Sequence, residues 1–344
     1  ALAEPPQTRS WRELEVELAD GPRELLDAIE SQLREAGARR STSPSKLAQA
    51  LGDRYPASRP AAHGRGARAV EAYLDEHRAA VRDNLPLVRS GDPDGVHDMR
   101  VAVRRLRSTL RTLRPVLDRD RTEPLRAELH WLAGCLGAVR DDDVLRRRLT
   151  HDLDALVPDS VLGPIRARID ERLTSHAAGG REELNAALNS ARYGDLMRSL
   201  DSVAVPHVKP AKLLHLTRKA LQRADRRLKL ARKATGIDQD TGLHDARKAY
   251  KRARYAVELV QPIGGEPAAR LAKRLRALQD VLGDHQDAVV ARRLVRDLGV
   301  RAHLDGENAF TYGLMYAREA AAARHSLAAL DETRRRARKP RGWL

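Results

Sequence analysis

The sequence predicts an all-α protein, two pseudo-symmetric four-helix bundles behind a short strand-and-helix segment. Three observations lead there. Beyond residue 65, apolar residues recur at spacings of three and four, and no convincing alternating run interrupts them. A chain of 344 residues has room for more than one core. Above all, the sequence repeats itself: VHDMRVAVRRLRSTLRTL at 96–113 returns as LHDARKAYKRARYAVELV at 243–260, placing His97 and His244 147 residues apart. Downstream, LGAVRDDDVLRRRL at 136–149 returns as LGDHQDAVVARRLV at 282–295. A unit of about four helices that occurs twice packs naturally as two bundles.

Taken in order, residues 11–18 (WRELEVEL) alternate apolar and acidic side chains, the period of a short strand. Gly21-Pro22 opens a helix with Leu25, Leu26, Ile29 and Leu33 on one face, closed by Gly37. Residues 53–65 read as a linker rich in Pro, Gly and Arg. The helical region spans 66–335, with halves of about 66–204 and 205–335, and a basic tail predicted to be mobile follows at 336–344. Helix breaks are expected at 90–95, 157–164, 179–180, 205–210, 235–242 and 262–267.

The charge narrows the partners. The chain carries 64 Lys+Arg against 48 Asp+Glu, a formal charge of +16. Residues 1–60 hold nine basic and ten acidic residues, so the excess belongs to the helical region. Such a field selects an anionic partner: nucleic acid, an acidic membrane or a phosphate polymer. Arg outnumbers Lys by 54 to 10, which a genome bias would also produce, so placement must decide. A single cysteine, Cys135, excludes an internal disulfide framework and reads as a small core residue. No apolar run reaches membrane length, and the reading is a cytoplasmic protein without a cofactor. Three Trp, seven Tyr and one Phe leave little with which to stack bases.

The placement is specific. At about 100° per residue, His97, Arg100, Arg104, Arg107, Arg111 and Arg114 share one stripe of a helix. Val103, Leu106, Leu110, Leu113 and Leu117 form the adjacent core face. The second copy aligns His244, Arg247, Lys251 and Arg254, with Lys248 just off the stripe and Tyr250, Ala253 and Val257 facing the core. Glu258 stands where the first copy has Arg111. A solvated helix face normally mixes signs to gain i,i+4 pairs, yet no acid falls between Arg100 and Arg114. A row of guanidinium groups suits successive phosphates through charge-assisted hydrogen bonds. Asp94-Gly95 and Thr241-Gly242 are expected to open the two helices, adding the positive end of each macrodipole near the histidines.

Arg82 and Lys229 each lie 15 residues before a stripe histidine and are candidates for a second wall. Arg140 is a weaker candidate, because its counterpart is Gln286. Asp141 and Asp287 do match, and are expected to hold stripe arginines or cap a turn. Consecutive Asp141, Asp142 and Asp143 point in different directions on a helix, which counts against a metal site.

The two repeated helices, VHDMRVAVRRLRS and LHDARKAYKRARY, resemble the signature helices of the CHAD family, the conserved histidine α-helical domain. The resemblance runs over roughly 66–335 and includes LGAVRDDDVL and LGDHQDAVVA. It implies two four-helix bundles that bind inorganic polyphosphate in a basic cleft between them, in some members on polyphosphate granules. The family's basic positions fall on His97, Arg100, Arg104, Arg107, His244, Arg247, Lys251 and Arg254. Arg105 and Arg252 match the motif but lie off the stripe, where pairing between helices is an equal alternative. Residues 1–52 resemble the last part of a CYTH domain, the triphosphate tunnel fold, with Glu13, Glu15 and Glu17 as remnants of a metal site. One strand closes no tunnel, so this chain is not expected to hydrolyse triphosphate.

Two other functions compete with a polyphosphate-binding module. A metal-dependent phosphohydrolase is suggested by the His-Asp pairs at 97–98 and 244–245, but each pair opens a separate basic helix and Asp98 and Asp245 point about 100° from their histidines. General nucleic-acid binding is permitted by charge, weak and salt-sensitive, without a reading motif. A membrane role lacks an exposed aromatic face.

Overall fold

The computed structural model describes residues 12, 14–16, 24–39, 62–338 and 342–344, with the side chains of 140, 141 and 175–178 outside that description. The chain divides into two compact units, Ala1–Ser58 and Arg59–Leu344.

In the first unit, α1 spans Glu24–Glu35. Gly37 ends it at φ +90, and the Ala38 amide donates back to the Leu33 carbonyl at 2.8 Å. A left-handed residue just past the last turn is the usual glycine stop. The predicted strand at 11–18 does not form in its described part, since residue 12 and residues 14–16 carry no strand. A strand exists only through a partner ladder, and alternation alone cannot supply one. Glu13 and Glu17 lie outside the described residues.

The second unit is helical throughout its described residues: α2 (Arg65–Asp83), α3 (Leu85–Arg89), α4 (Pro93–Thr112), α5 (Arg119–Asp154), α6 (Ile165–Leu188), α7 (Ala191–Asp201), α8 (Pro210–Ala231), α9 (Gly236–Leu259), α10 (Gln261–Leu304) and α11 (Phe310–Ala337). The two repeated stretches lie on α4 and α9, which pack against each other.

Three apolar cores hold the unit together. In the first, Val103, Leu106 and Leu110 of α4 meet Val70 and Leu74 of α2 and Leu129 and Leu132 of α5. Each fully buried leucine contributes about 2 kcal/mol. The second joins Leu221 and Leu228 of α8, Tyr250 and Val257 of α9, and Leu271 and Leu275 of α10. The third uses the far ends of the long helices: Leu149 and Leu153 of α5 and Val295 of α10 pack with Ile169 of α6 and Met315 of α11.

Several predicted boundaries move. Gly179 and Gly180 do not break a helix; α6 runs through them. A Cβ on Gly180 would sit 3.2 Å from Ala138, so that glycine lets α6 approach α5. At 262–267 the expected break is a sharp kink at Gly265, whose φ of 56 and ψ of −145 suit only glycine. α9 starts at Gly236, not after Gly242; a Cβ on Gly242 would lie 2.9 Å from Ala231, so it serves close packing inside the helix. α4 starts at Pro93, where the Asp92 carboxylate accepts from the Asp94 and Gly95 amides at 2.7 and 3.0 Å. The tail is not loose at its end: Leu344 is buried in the second core and the Trp343 ring covers Gly264.

Candidate anion-binding site

The core face of α4 fixes where its charges go. Once Val103, Leu106 and Leu110 are buried, the helix period turns His97, Arg100 and Arg104 toward α9. The same logic on α9, with Tyr250, Ala253 and Val257 buried, turns His244, Arg247 and Lys251 back toward α4. These six side chains line one groove of about 420 Å³. Val101, Val144 and Leu145 give it an apolar wall, and Gln286 and Asp287 of α10 enter from the side. Arg148 of α5 also reaches it, but is held by two 2.7 Å bonds to the buried Glu319 carboxylate.

The α9 side of the groove carries the clearest electrostatic strain. Burial, then the fields of Arg104, Arg247 and Arg100, push the Lys251 ammonium down to about 7, while Asp287 opposes them. Burial lowers the His244 pKa, with Lys248 and Arg247 adding to it, so its imidazole is neutral near pH 7. The Nδ1 of His244 and the Nε of Arg247 are buried without a hydrogen-bond partner. Gly283 makes room for Arg247: a Cβ there would lie 3.3 Å from the guanidinium. Arg104 donates its Nε to the Tyr255 hydroxyl at 3.0 Å. The unsatisfied guanidinium donor of Arg247 suits a bound anion.

The stripe of α4 does not end in that groove. Arg111 and Arg114 open into a second basin of about 690 Å³ between the ends of α4 and α5 and the side of α8. Arg252, off the stripe, forms part of its floor; burial and the fields of Arg111, Arg227 and Arg223 push it down to about 10. Lys219, Arg223 and Arg227 of α8 face the same space. Sequence reading missed these three. Their signal was legible, since Lys212, His215, Lys219, Arg223 and Arg227 follow one another at spacings of three and four. Arg107 lies between the two spaces, its pKa lowered by burial and by Arg126, Arg104 and Arg111, and its guanidinium donates to His130 Nδ1 at 2.6 Å.

Other predicted residues are not brought together with the groove. Arg254 points to α10 and to its own helix, donating to Glu258 at 2.6 Å and to Gln279 at 2.9 Å. Arg105 pairs with the same Glu258 at 3.4 Å, and both guanidinium groups lie over the Tyr255 ring. Arg82 pairs with Asp201 of α7 and lines neither space. Lys229 is exposed and lines neither space. Lys248 is exposed, with Asp245 3.6 Å away. The Arg140 and Asp141 side chains lie outside the described residues. Asp287 forms no salt bridge to a stripe arginine among the described residues; it faces the groove and acts on Lys251 at a distance. His244 lies more than two turns inside α9, so the expected macrodipole at that histidine is lost. Among the described residues, no group of three His, Cys, Asp or Glu could hold a metal ion. No described helix is long and apolar enough to cross a membrane.

Similarity to known proteins follows the same region. The CHAD domain family model matches residues 72–296. Two uncharacterized proteins of Mycobacterium tuberculosis, Rv2226 of strain H37Rv and MT2285 of strain CDC 1551, are each 33% identical over 353 residues, covering 97% of this chain and 67% of their own length. The CHAD domain from the plant Ricinus communis superposes with a TM-score of 0.60 at 26% identity, over 83% of this chain and 96% of its own. PptA from Streptomyces chartreusis shares the fold, with a TM-score of 0.65 at 22% identity over 78% of this chain and 98% of its own. On its sequence match and its fold together, the chain belongs to the CHAD domain family.

Proposed function

We propose that this protein binds inorganic polyphosphate in the groove between α4 and α9, as a binding module and not as an enzyme. One observation carries the reading: His97, Arg100, Arg104, His244, Arg247 and Lys251, from two distant stretches of chain, converge on one space, and the Nε of Arg247 is left without a partner there. A polyphosphate chain offers a charge at every phosphate and no bases, which matches a cation-rich wall with few aromatic groups. Binding in this way would serve localisation of the polymer, including on cytoplasmic granules. We also read residues 1–52 as CYTH-like on their helix and Ser-Lys pattern; a solution structure that packs this segment in a fold other than a triphosphate tunnel would sink that reading.

The test is calorimetric titration with long-chain polyphosphate and, at equal phosphate concentration and salt, with single-stranded DNA and RNA. A variant carrying Arg100→Ala, Arg104→Ala, Arg247→Ala and Lys251→Ala runs alongside. Tight polyphosphate binding, weak nucleic-acid binding and loss in the variant support the proposal. Equal affinity for all three polymers, or an unaffected variant, rejects it in favour of a generally basic surface.

A further inference from the structure

The groove uses only the first half of the α4 stripe. The second half opens into the 690 Å³ basin, which is larger than the groove. Its acids are few: Glu123 lies 2.8 Å from Arg114 and 2.5 Å from Arg126. Arg111, Lys219, Arg223, Arg227 and Arg252 have no carboxylate within salt-bridge distance among the described residues. The Nη2 of Arg252 is buried without a partner. These cations come from three helices, and so tertiary packing gathers them against their mutual repulsion. Glu123 and the more distant Asp245 offset only part of that repulsion, and a bound anion would offset more.

Groove and basin also lie along one helix. Arg104 lines the first and Arg111 the second, seven residues along one helix, or about 10 Å at 1.5 Å per residue. Arg107 stands between them and feels the fields of both neighbours. The cations therefore form one continuous track along α4, with no described carboxylate interposed on that face. Resting on the polyphosphate reading of the groove, we infer that the basin is a second binding site for the same phosphate polymer, and that one linear chain occupies groove and basin together. The protein then discriminates by length. A chain too short to span the track gains one set of contacts. A longer chain gains the second set intramolecularly, which raises its affinity without any new protein surface.

The full chain is titrated with tripolyphosphate and with long-chain polyphosphate at equal phosphate concentration and salt. The wild type is compared with a variant carrying Lys219→Ala, Arg223→Ala and Arg227→Ala. Removing three mutually repelling surface cations leaves the fold intact, which circular dichroism checks. The expected result is a wild-type preference for the long chain of about tenfold or more. In the variant most of that preference disappears, while tripolyphosphate binding in the groove is unchanged. A variant that keeps the full long-chain preference overturns the second site and leaves the groove standing. A wild type that binds neither polymer overturns the groove reading itself, and the second site with it.

Discussion

Arg247 and Arg254 stand two turns apart on α9, both at motif positions, and the structure gives them opposite surroundings. Arg247 lies over Gly283 with its Nε unsatisfied, and shares the groove with Lys251 of its own helix and Arg104 of α4. Arg254 is ion-paired with Glu258, hydrogen-bonded to Gln279 and stacked on Tyr255. One carboxylate makes the difference. Glu258 takes the place that Arg111 holds in the first copy, and it neutralises both Arg254 and Arg105. The same residue type at the same motif spacing is thus a ligand candidate where no described carboxylate forms a salt bridge with it, and a structural cross-link where one does. Electrostatic complement, more than position in a motif, decides which arginines are available to a ligand.

Single substitutions set the comparison most sharply. Arg247→Ala removes a charge-assisted bond of about 1.5–3 kcal/mol and is expected to weaken polyphosphate binding roughly ten- to hundredfold. Arg254→Ala is expected to change affinity by less than about twofold, yet to cost about 2 kcal/mol of stability because half-buried Glu258 loses its closest partner. Calorimetry and chemical denaturation read the two effects. Equal losses of affinity in both variants would erase the distinction.

Lys251 gives the next effect, through pH. Its folded pKa of about 7 lies below the ordinary 10.5, and a bound polyanion pulls it back up. Above pH 7 binding therefore takes up a proton, and affinity falls as pH rises, by at most about tenfold per unit for one proton. Titrations in buffers of different ionisation heat count that proton. Lys251→Arg, charged throughout, should bind with a flat profile; a flat wild-type profile would remove the lysine from the site.

The same lysine predicts a conflict between function and stability. A base whose folded pKa is depressed lowers stability, with the penalty complete below pH 7 and gone by 10.5. Lys251→Met should stabilise the ligand-free protein by about 1 kcal/mol or more at pH 7, and the gain should shrink as pH rises. Thermal unfolding across that range tests the sign; a destabilised variant contradicts it. The smallest effect is at Gly283. Gly283→Ala crowds the movable end of Arg247, and affinity should drop by roughly two- to fivefold with little change in stability. An unchanged affinity would show that Arg247 has room elsewhere.

Much of this site was legible before any coordinates. The α4 stripe and its buried face follow from the helix period, which depends only on residues a few positions apart, and Val103, Leu106, Leu110 and Leu113 are all buried as that period requires. Helix ends were less legible. Gly179-Gly180 and Gly242 look like breakers, yet all three lie inside helices, and at Gly180 and Gly242 a neighbouring helix approaches. A glycine in sequence does not say whether its missing Cβ serves a turn or a contact.

By itself, then, the sequence determined the all-helical class, the core-facing residues of α4 and α9, and the existence of two basic faces. These are local properties, set by periodicity and residue type. Only the tertiary structure decided that His97, Arg100 and Arg104 meet His244, Arg247 and Lys251, that Glu258 takes Arg254 out of that set, and that α8 adds Lys219, Arg223 and Arg227 to the far end of the stripe. The physical reason is distance. Coulomb energy and hydrogen bonding act over a few ångströms in space, and residues about 150 positions apart in sequence enter that range only when the helices pack.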